Sequence, residues 1–280
     1  MEVDKLQMPK NETKTVFVGS VPFGGPQFQV IAGPCSIESP AQFLETARAV
    51  KNQGASMLRG GIWKLRTSAE SFQGLGHHAL DFIKETCADV GLGLVSEVTD
   101  PRQIEQIYDV VSMFQVGSRN MHNYALLKEL GQQGKPVLLK RGFAALIDEW
   151  IKAADYIVRG GNSNVILCER GIRTFETATR NTLDLNAVVY AKKNSSFPVI
   201  VDPSHAVGIR ELVAPLAYAS AAAGADGLIV EVHPRPSEAL SDGMQALTFQ
   251  DFAQMMSQLK LLTKAMGREV EFGNKFEIRN

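Results

Sequence analysis

Cysteine is scarce in this chain: Cys35, Cys87 and Cys168 are three thiols among 280 residues. They are too few and too scattered to form a disulfide framework, which points to a reducing compartment, and the cytoplasm is the expected home. Long apolar runs are also missing. No stretch approaches the roughly 20 residues that a membrane span requires, so no membrane partner is expected. The opening "MEVDKLQMPKNETKTVF" is polar and mixed in charge, unlike a secretory signal. Excess charge of one sign is lacking as well, since 29 basic and 30 acidic residues leave a formal net charge of -1. A nucleic-acid surface is therefore not expected, and any cation cluster must be local. The chain also lacks a P-loop, a dinucleotide fingerprint, HExxH, CxxC and a nucleophile elbow around Ser36 or Ser204.

What the chain does have is a repeating pattern. Eight short apolar runs occupy residues 28–35, 56–61, 92–98, 111–118, 136–142, 164–171, 197–205 and 226–233. Longer segments of helical period separate them, such as "PAQFLETARAVKNQ" and "NYALLKELGQQ". Strand–helix units of about 25 residues, repeated evenly, predict a (β/α)8 barrel, an α/β fold of the TIM type. A doubly wound sheet is the alternative, but even spacing favours closure. The expected organisation is an N-terminal hairpin extension over 1–27 that covers one barrel mouth, a barrel over 28–265, and a tail over 266–280.

Seven of the eight runs close, at the C-terminal end, on a residue able to do chemistry, and the fourth is followed by one. These are Cys35, Arg59, Glu97, Arg119 just past the fourth run, Lys140, Arg170, His205 and Glu231. Any one of them alone would read as a solvated or salt-bridged side chain. Strung around a ring they would meet at one face, where barrel enzymes keep their active sites. Arg59, Lys64, Arg66, Arg119, Lys140 and Arg170 form a cationic set that suits a ligand with several negative charges. Cys35, His205, Glu231 and Asp242 offer a thiolate, an imidazole and two carboxylates, a donor set for Mn2+, Fe2+, Co2+ or Zn2+. Spacing alone leaves open an inert buried cysteine, a core histidine, or His233 as a rival ligand. Imine chemistry at Lys140 is a further alternative.

Read together and in order, "AGPCSIES", "LRGG…K.RTS..SFQGLG", "SEV", "QVGSRNM", "LLKRG", "ILCERGIRTFE..TRNTLD", "VDPSH" and "EVHP.P..ALSDG.Q" closely resemble the 3-deoxy-D-arabino-heptulosonate 7-phosphate (DAHP) synthases of type I beta, in their compact form without a regulatory domain. The resemblance covers about Gly33 to Gln245. It implies condensation of phosphoenolpyruvate with erythrose 4-phosphate and water, releasing phosphate, at the head of the shikimate route to aromatic amino acids. It implies Cys35, His205, Glu231 and Asp242 as ligands of a divalent metal, Mn2+ before Fe2+, Co2+ or Zn2+. Arg59, Lys64, Arg119, Lys140 and Arg170 would hold phosphoenolpyruvate, and Arg66, Thr67 and Ser68 the aldose phosphate. Lys64, Glu97 and His205 would stand closest to the reaction. A homo-oligomer, tetramer or dimer, is implied too. The sister barrels that make an octulosonate phosphate lack the "K.RTS" element.

The chain departs from the family pattern in places. Leu65 stands where a proline is usual, Ala69 and Glu70 replace a Pro-Tyr pair, and "SHAVGIR" replaces a "SHGTGRR" type of segment. These differences direct attention to the second substrate. The alternatives are a paralogue with another aldose phosphate, a sensor of phosphorylated metabolites without catalysis, or a metal-dependent hydrolase.

Overall fold

The computed structural model describes residues 12–66 and 68–270. Strands β1 (Val16–Val18) and β2 (Val21–Phe23) pair antiparallel as a hairpin. Eight parallel strands follow: β3 (Gln29–Gly33), β4 (Met57–Arg59), β5 (Leu94–Glu97), β6 (Met113–Val116), β7 (Val137–Lys140), β8 (Val165–Glu169), β9 (Val199–Val201) and β10 (Gly227–Glu231). They close in chain order, with β10 pairing back onto β3. Every strand lies within one of the eight apolar runs. The fold is a (β/α)8 barrel with an N-terminal hairpin.

These strands read as continuous apolar runs because both of their faces are covered. The two faces separate by the period of two along each strand. Ile31, Met57, Val95, Met113, Leu138, Ile166, Cys168, Ile200 and Ile229 fill the barrel interior. Their neighbours, such as Val30, Leu58, Leu94, Phe114, Leu139, Leu167 and Val230, pack outward against the helices. The helices carry their own start signals. Ser39 accepts from the Gln42 N–H ahead of Pro40–Asn52, and Thr248 and Asp251 form a capping box ahead of Phe249–Ala265.

The hairpin does cover a barrel mouth, and it is the one opposite the charged strand ends. Val16, Val18, Val21 and Phe23 join the interior cluster beside Ile31 and Met57, near the strand starts. Lys14 N–H, just before the hairpin, bonds to the Ser196 carbonyl that precedes β9. Phe23 is fully buried. Its replacement by alanine is expected to cost about 3–5 kcal/mol, read as a lowered urea midpoint with an unchanged slope. A midpoint equal to wild type would show that the hairpin does not stopper the barrel.

A candidate active site at the C-terminal mouth

The same period of two that fills the interior also builds the site. Moving two residues on from each inward apolar side chain reaches Arg59 from Met57, Glu97 from Val95, Gln115 from Met113 and Lys140 from Leu138. On the remaining strands it reaches Arg170 from Cys168, Asp202 from Ile200 and Glu231 from Ile229. Seven of the eight strands thus raise a polar side chain into one layer at the top of the barrel. On β3 the corresponding residue is Gly33, at φ +153, and a side chain there would meet the Arg59 carbonyl at 2.2 Å. The ligand-type residue on that strand is therefore displaced to Cys35.

Cys35, His205, Glu231 and Asp242 converge, with one donor atom from each lying within 4.8 Å of the others. Cys35 Sγ donates to Asp242 Oδ2 at 3.1 Å, and His205 Nε2 lies 3.2 Å from Glu231 Oε1. Asp242 holds a left-handed backbone at φ 51, the one non-glycine with positive φ among the described residues. Such a conformation costs about 1–3 kcal/mol and is concentrated at functional positions. His233 is not part of the group. The chain has left β10 by that point, and His233 Nε2 turns to Glu38 Oε2 at 3.3 Å.

Asp202 is the buried centre of the ionic network. Its Oδ2 accepts from His205 Nδ1 at 2.7 Å and from the Lys140 ammonium, and Arg59 Nη1 lies 3.9 Å away. Burial works against its charge, but His205, Lys140 and Arg59 outweigh burial and hold it well below the usual carboxylate range. Burial lowers His205, against the pull of Asp202 and Glu231. A neutral imidazole whose Nδ1–H serves Asp202 turns its Nε2 lone pair toward Glu231 and the thiol. Lone pairs and carboxylates facing one another in this way suit a divalent cation, so the donor set fits a metal. Burial, reinforced by Glu231, pushes the Cys35 thiol up to about 12. A coordinated thiol is deprotonated, so this value belongs to the metal-free chain.

Beside the cluster opens a cleft of about 300 Å3. Of the proposed residues, Arg59, Lys64, Arg66, Ser68, Glu97, Arg119, Lys140, Arg170, His205 and Asp242 line it. Thr67 lies outside the described residues. Arg59 donates through Nη2 to Glu231 Oε1 at 3.1 Å, while its buried Nε and Nη1 lack a hydrogen-bond partner among the described residues. Buried guanidinium N–H groups left open beside a cleft fit an anionic ligand. Lys64 Nζ donates to Cys35 Sγ at 3.0 Å. Burial opposes its charge, but Cys35 and Glu97 prevail and raise it above its ordinary value. Arg170 sits over the Phe143 ring, 4.7 Å from its centroid. Lys140 is buried in its ion pair with Asp202, the opposite of the desolvated amine that imine formation needs.

Sequence reasoning missed Gln115, Asp202, Arg180 and Gln245. Gln115 and Asp202 could have been found by following the inward period one step past each strand. Arg180 and Gln245 lie in loops, inside the "TRNTLD" and "ALSDG.Q" segments, but nothing in those segments alone assigns them a role. Among the departures from the family pattern, Leu65 lines the cleft and its carbonyl accepts from Arg119 Nη2 at 2.7 Å. Ala69 and Glu70 are exposed and outside the lining. Of these three, Leu65 is the departure that touches the cleft.

The family model described as "DAHP synthetase I family" matches residues 8–268. Phospho-2-dehydro-3-deoxyheptonate aldolase of Thermotoga maritima is 46% identical over 259 residues, which are 92% of this chain and 77% of that protein. A crystal structure of the Thermotoga maritima enzyme matches with a TM-score of 0.90 at 45% identity, covering 93% of this chain and 76% of the other. 2-Dehydro-3-deoxyphosphooctonate aldolase of Nitrobacter winogradskyi is 32% identical over 276 residues, 91% of this chain and 94% of that protein.

Proposed function

Because this chain belongs to the DAHP synthetase I family, we propose that it joins phosphoenolpyruvate to erythrose 4-phosphate and water, giving 3-deoxy-D-arabino-heptulosonate 7-phosphate and inorganic phosphate. This is the first step of the shikimate route. The observation that carries the reading is the pair of open N–H groups on buried Arg59, beside a four-ligand cluster, in a cleft lined by seven cations. Phosphoenolpyruvate brings a carboxylate and a phosphate, and the aldose a second phosphate, which matches that charge.

Arg59, Lys64, Arg119, Lys140 and Arg170 surround phosphoenolpyruvate, and Arg66, Thr67 and Ser68 receive the aldose phosphate toward the outer end. Cys35, His205, Glu231 and Asp242 would hold a divalent metal, Mn2+ in preference to Fe2+, Co2+ or Zn2+, which when bound would supply Lewis acidity toward the aldehyde oxygen. A carbon–carbon bond forms from C3 of phosphoenolpyruvate to the aldehyde carbon. The oxygen of a water adds at C2, and the bond from C2 to the phosphate oxygen breaks. Lys64, held cationic, stabilises negative charge as it grows on the acceptor oxygen. Glu97 takes one proton from the attacking water and returns it to the former aldehyde oxygen, and the second water proton leaves with the phosphate as the C2 ketone forms. The cation clamps contribute mainly by positioning and by fixed electrostatics.

Gly117 provides the room for Glu97, since a methyl group there would lie 2.0 Å from Glu97 Oε1. Gly117→Ala is expected to lower kcat by about 10²-fold through displaced geometry, with the urea midpoint close to wild type. Unchanged kcat would remove Glu97 from the reaction.

The reading itself is tested by following phosphoenolpyruvate loss and phosphate release across C4 and C5 aldose phosphates, with and without EDTA. Chelator-sensitive turnover with erythrose 4-phosphate is expected. Preference for a C5 acceptor would make the chain an octulosonate-type paralogue. No phosphate release with any acceptor would leave a metabolite sensor, and turnover indifferent to EDTA would overturn the metal assignment.

A further inference from the structure

The two carboxylates of the cluster each present one oxygen inward and one outward. The inward atoms are Asp242 Oδ2, 3.1 Å from Cys35 Sγ, and Glu231 Oε1, which lies 3.2 Å from His205 Nε2 and also accepts from Arg59 Nη2 at 3.1 Å. Both outward atoms are already engaged. Asp242 Oδ1 accepts from Arg180 Nη1 at 3.2 Å, and Glu231 Oε2 accepts from Gln245 Nε2 at 2.7 Å. Arg180 Nη1 also donates to Gln245 Oε1 at 2.9 Å. Asp242, Arg180, Gln245 and Glu231 thus form one unbroken run of hydrogen bonds around the outside of the cluster.

We propose that Arg180 and Gln245 act as a strap that limits each carboxylate to one inward oxygen, and so sets the affinity and coordination number of the bound metal. The proposal rests on the metal reading above. It deepens that reading by assigning positioning roles to two residues outside the ligand set.

The hydrogen-bond inventory leaves a single polarity for the strap. Arginine can only donate, so the amide oxygen of Gln245 must face Arg180 and its nitrogen must face Glu231. Gln245 is 2% exposed, which keeps water from replacing either bond. A free carboxylate can bind a cation through one oxygen or two, and a hydrogen bond accepted by the outer oxygen turns that atom away and disfavours the second option. The strap also spans the strained position in the site. Asp242 sits at φ 51 and is held by Arg180 on one side and Cys35 on the other. Arg180 is anchored in turn, its N–H bonding to the Val207 carbonyl. Gly208, at φ +71, leaves space for its stem, because a side chain there would lie 2.8 Å from Arg180 Cβ. A glutamate at 245 could not build the strap, since it would lack the donor and would add like charge beside Glu231.

The test is titration of the purified full chain with Co2+ alone, read by chelator competition and by the visible absorption of the bound ion. Gln245→Leu is expected to weaken Co2+ binding about 10- to 100-fold, and to alter the visible band as Glu231 engages through both oxygens. Arg180→Gln is expected to move both readouts in the same direction. The Arg180 side chain is 41% exposed, so this variant carries the test if Gln245→Leu does not fold. Wild-type affinity and spectrum in the folded variants would overturn the strap while wild type binds Co2+ and Cys35→Ala does not. Failure of wild type itself to bind Co2+ more tightly than Cys35→Ala would overturn the metal reading, and the strap with it.

Discussion

Cys35→Ala and His205→Ala are each expected to lower turnover by about 10³-fold or more, because the Lewis-acid contribution they would remove is worth several kcal/mol. Both residues belong to a group whose donor atoms lie within 4.8 Å, so deleting one leaves three ligands and an open edge. The two variants differ in what else they disturb. Cys35 Sγ accepts from Lys64 Nζ at 3.0 Å, and its loss leaves that cation its 3.3 Å bond to the carbonyl of residue 35. His205→Ala removes the Nδ1 bond to buried Asp202 Oδ2 and leaves that oxygen to Lys140, while the 205 N–H keeps its 2.9 Å bond to Oδ1. His205→Ala is therefore expected to lower the urea midpoint, whereas Cys35→Ala leaves it near wild type. Bound metal, measured after chelation and dialysis against Co2+, should fall in both. Full activity of either variant in EDTA would reject the metal assignment.

Arg59→Met carries the second large effect. Among the described residues, Arg59 Nε and Nη1 are buried without a hydrogen-bond partner, although Nη1 lies within ion-pair distance of Asp202, and charge-assisted hydrogen bonds contribute about 1.5–3 kcal/mol each. Losing both predicts a fall of roughly 10²- to 10⁴-fold in kcat/KM for phosphoenolpyruvate. KM for the aldose phosphate should change little, because Arg66 and Ser68 lie elsewhere in the cleft. Arg59→Lys should not restore activity, since an ammonium has no planar fork to span two oxygens. Glu231 keeps its bond from Gln245 in either variant, so metal binding separates this loss from damage to the cluster. A lysine variant with wild-type kcat/KM would show that the open N–H groups do not meet the substrate.

Most of the barrel was legible along the chain, for a specific reason. Parallel strands covered on both faces must be apolar at nearly every position, so β3 through β10 stand out as short runs between helical segments. Their charged ends stand out for the same reason. The hairpin was expected, but its turn falls at Gly19–Ser20 between β1 and β2 rather than at the Gly24–Gly25 pair that follows β2, and which mouth it closes was not legible. That depends on where Val16 and Phe23 find apolar neighbours, and these lie at the strand starts. His233 shows the limit of strand-face reasoning. The period of two assumes that the strand continues, but β10 ends at Glu231 and His233 turns to Glu38.

By itself the sequence determined the fold class, the ring of reactive strand ends and the excess of cations at one face. Each of these follows from local alternation and from burial, which act on neighbours along the chain. Tertiary structure alone decided who meets whom across it. Cys35 and Asp242 are 207 positions apart and touch because the barrel closes β10 onto β3. Asp202 became the partner of both Lys140 and His205, and Arg180 and Gln245 became the outer bonds of the two carboxylates. Contacts of this kind depend on loop paths and ring closure. Those are set by the free energy of the whole packed core, and no local pattern records them.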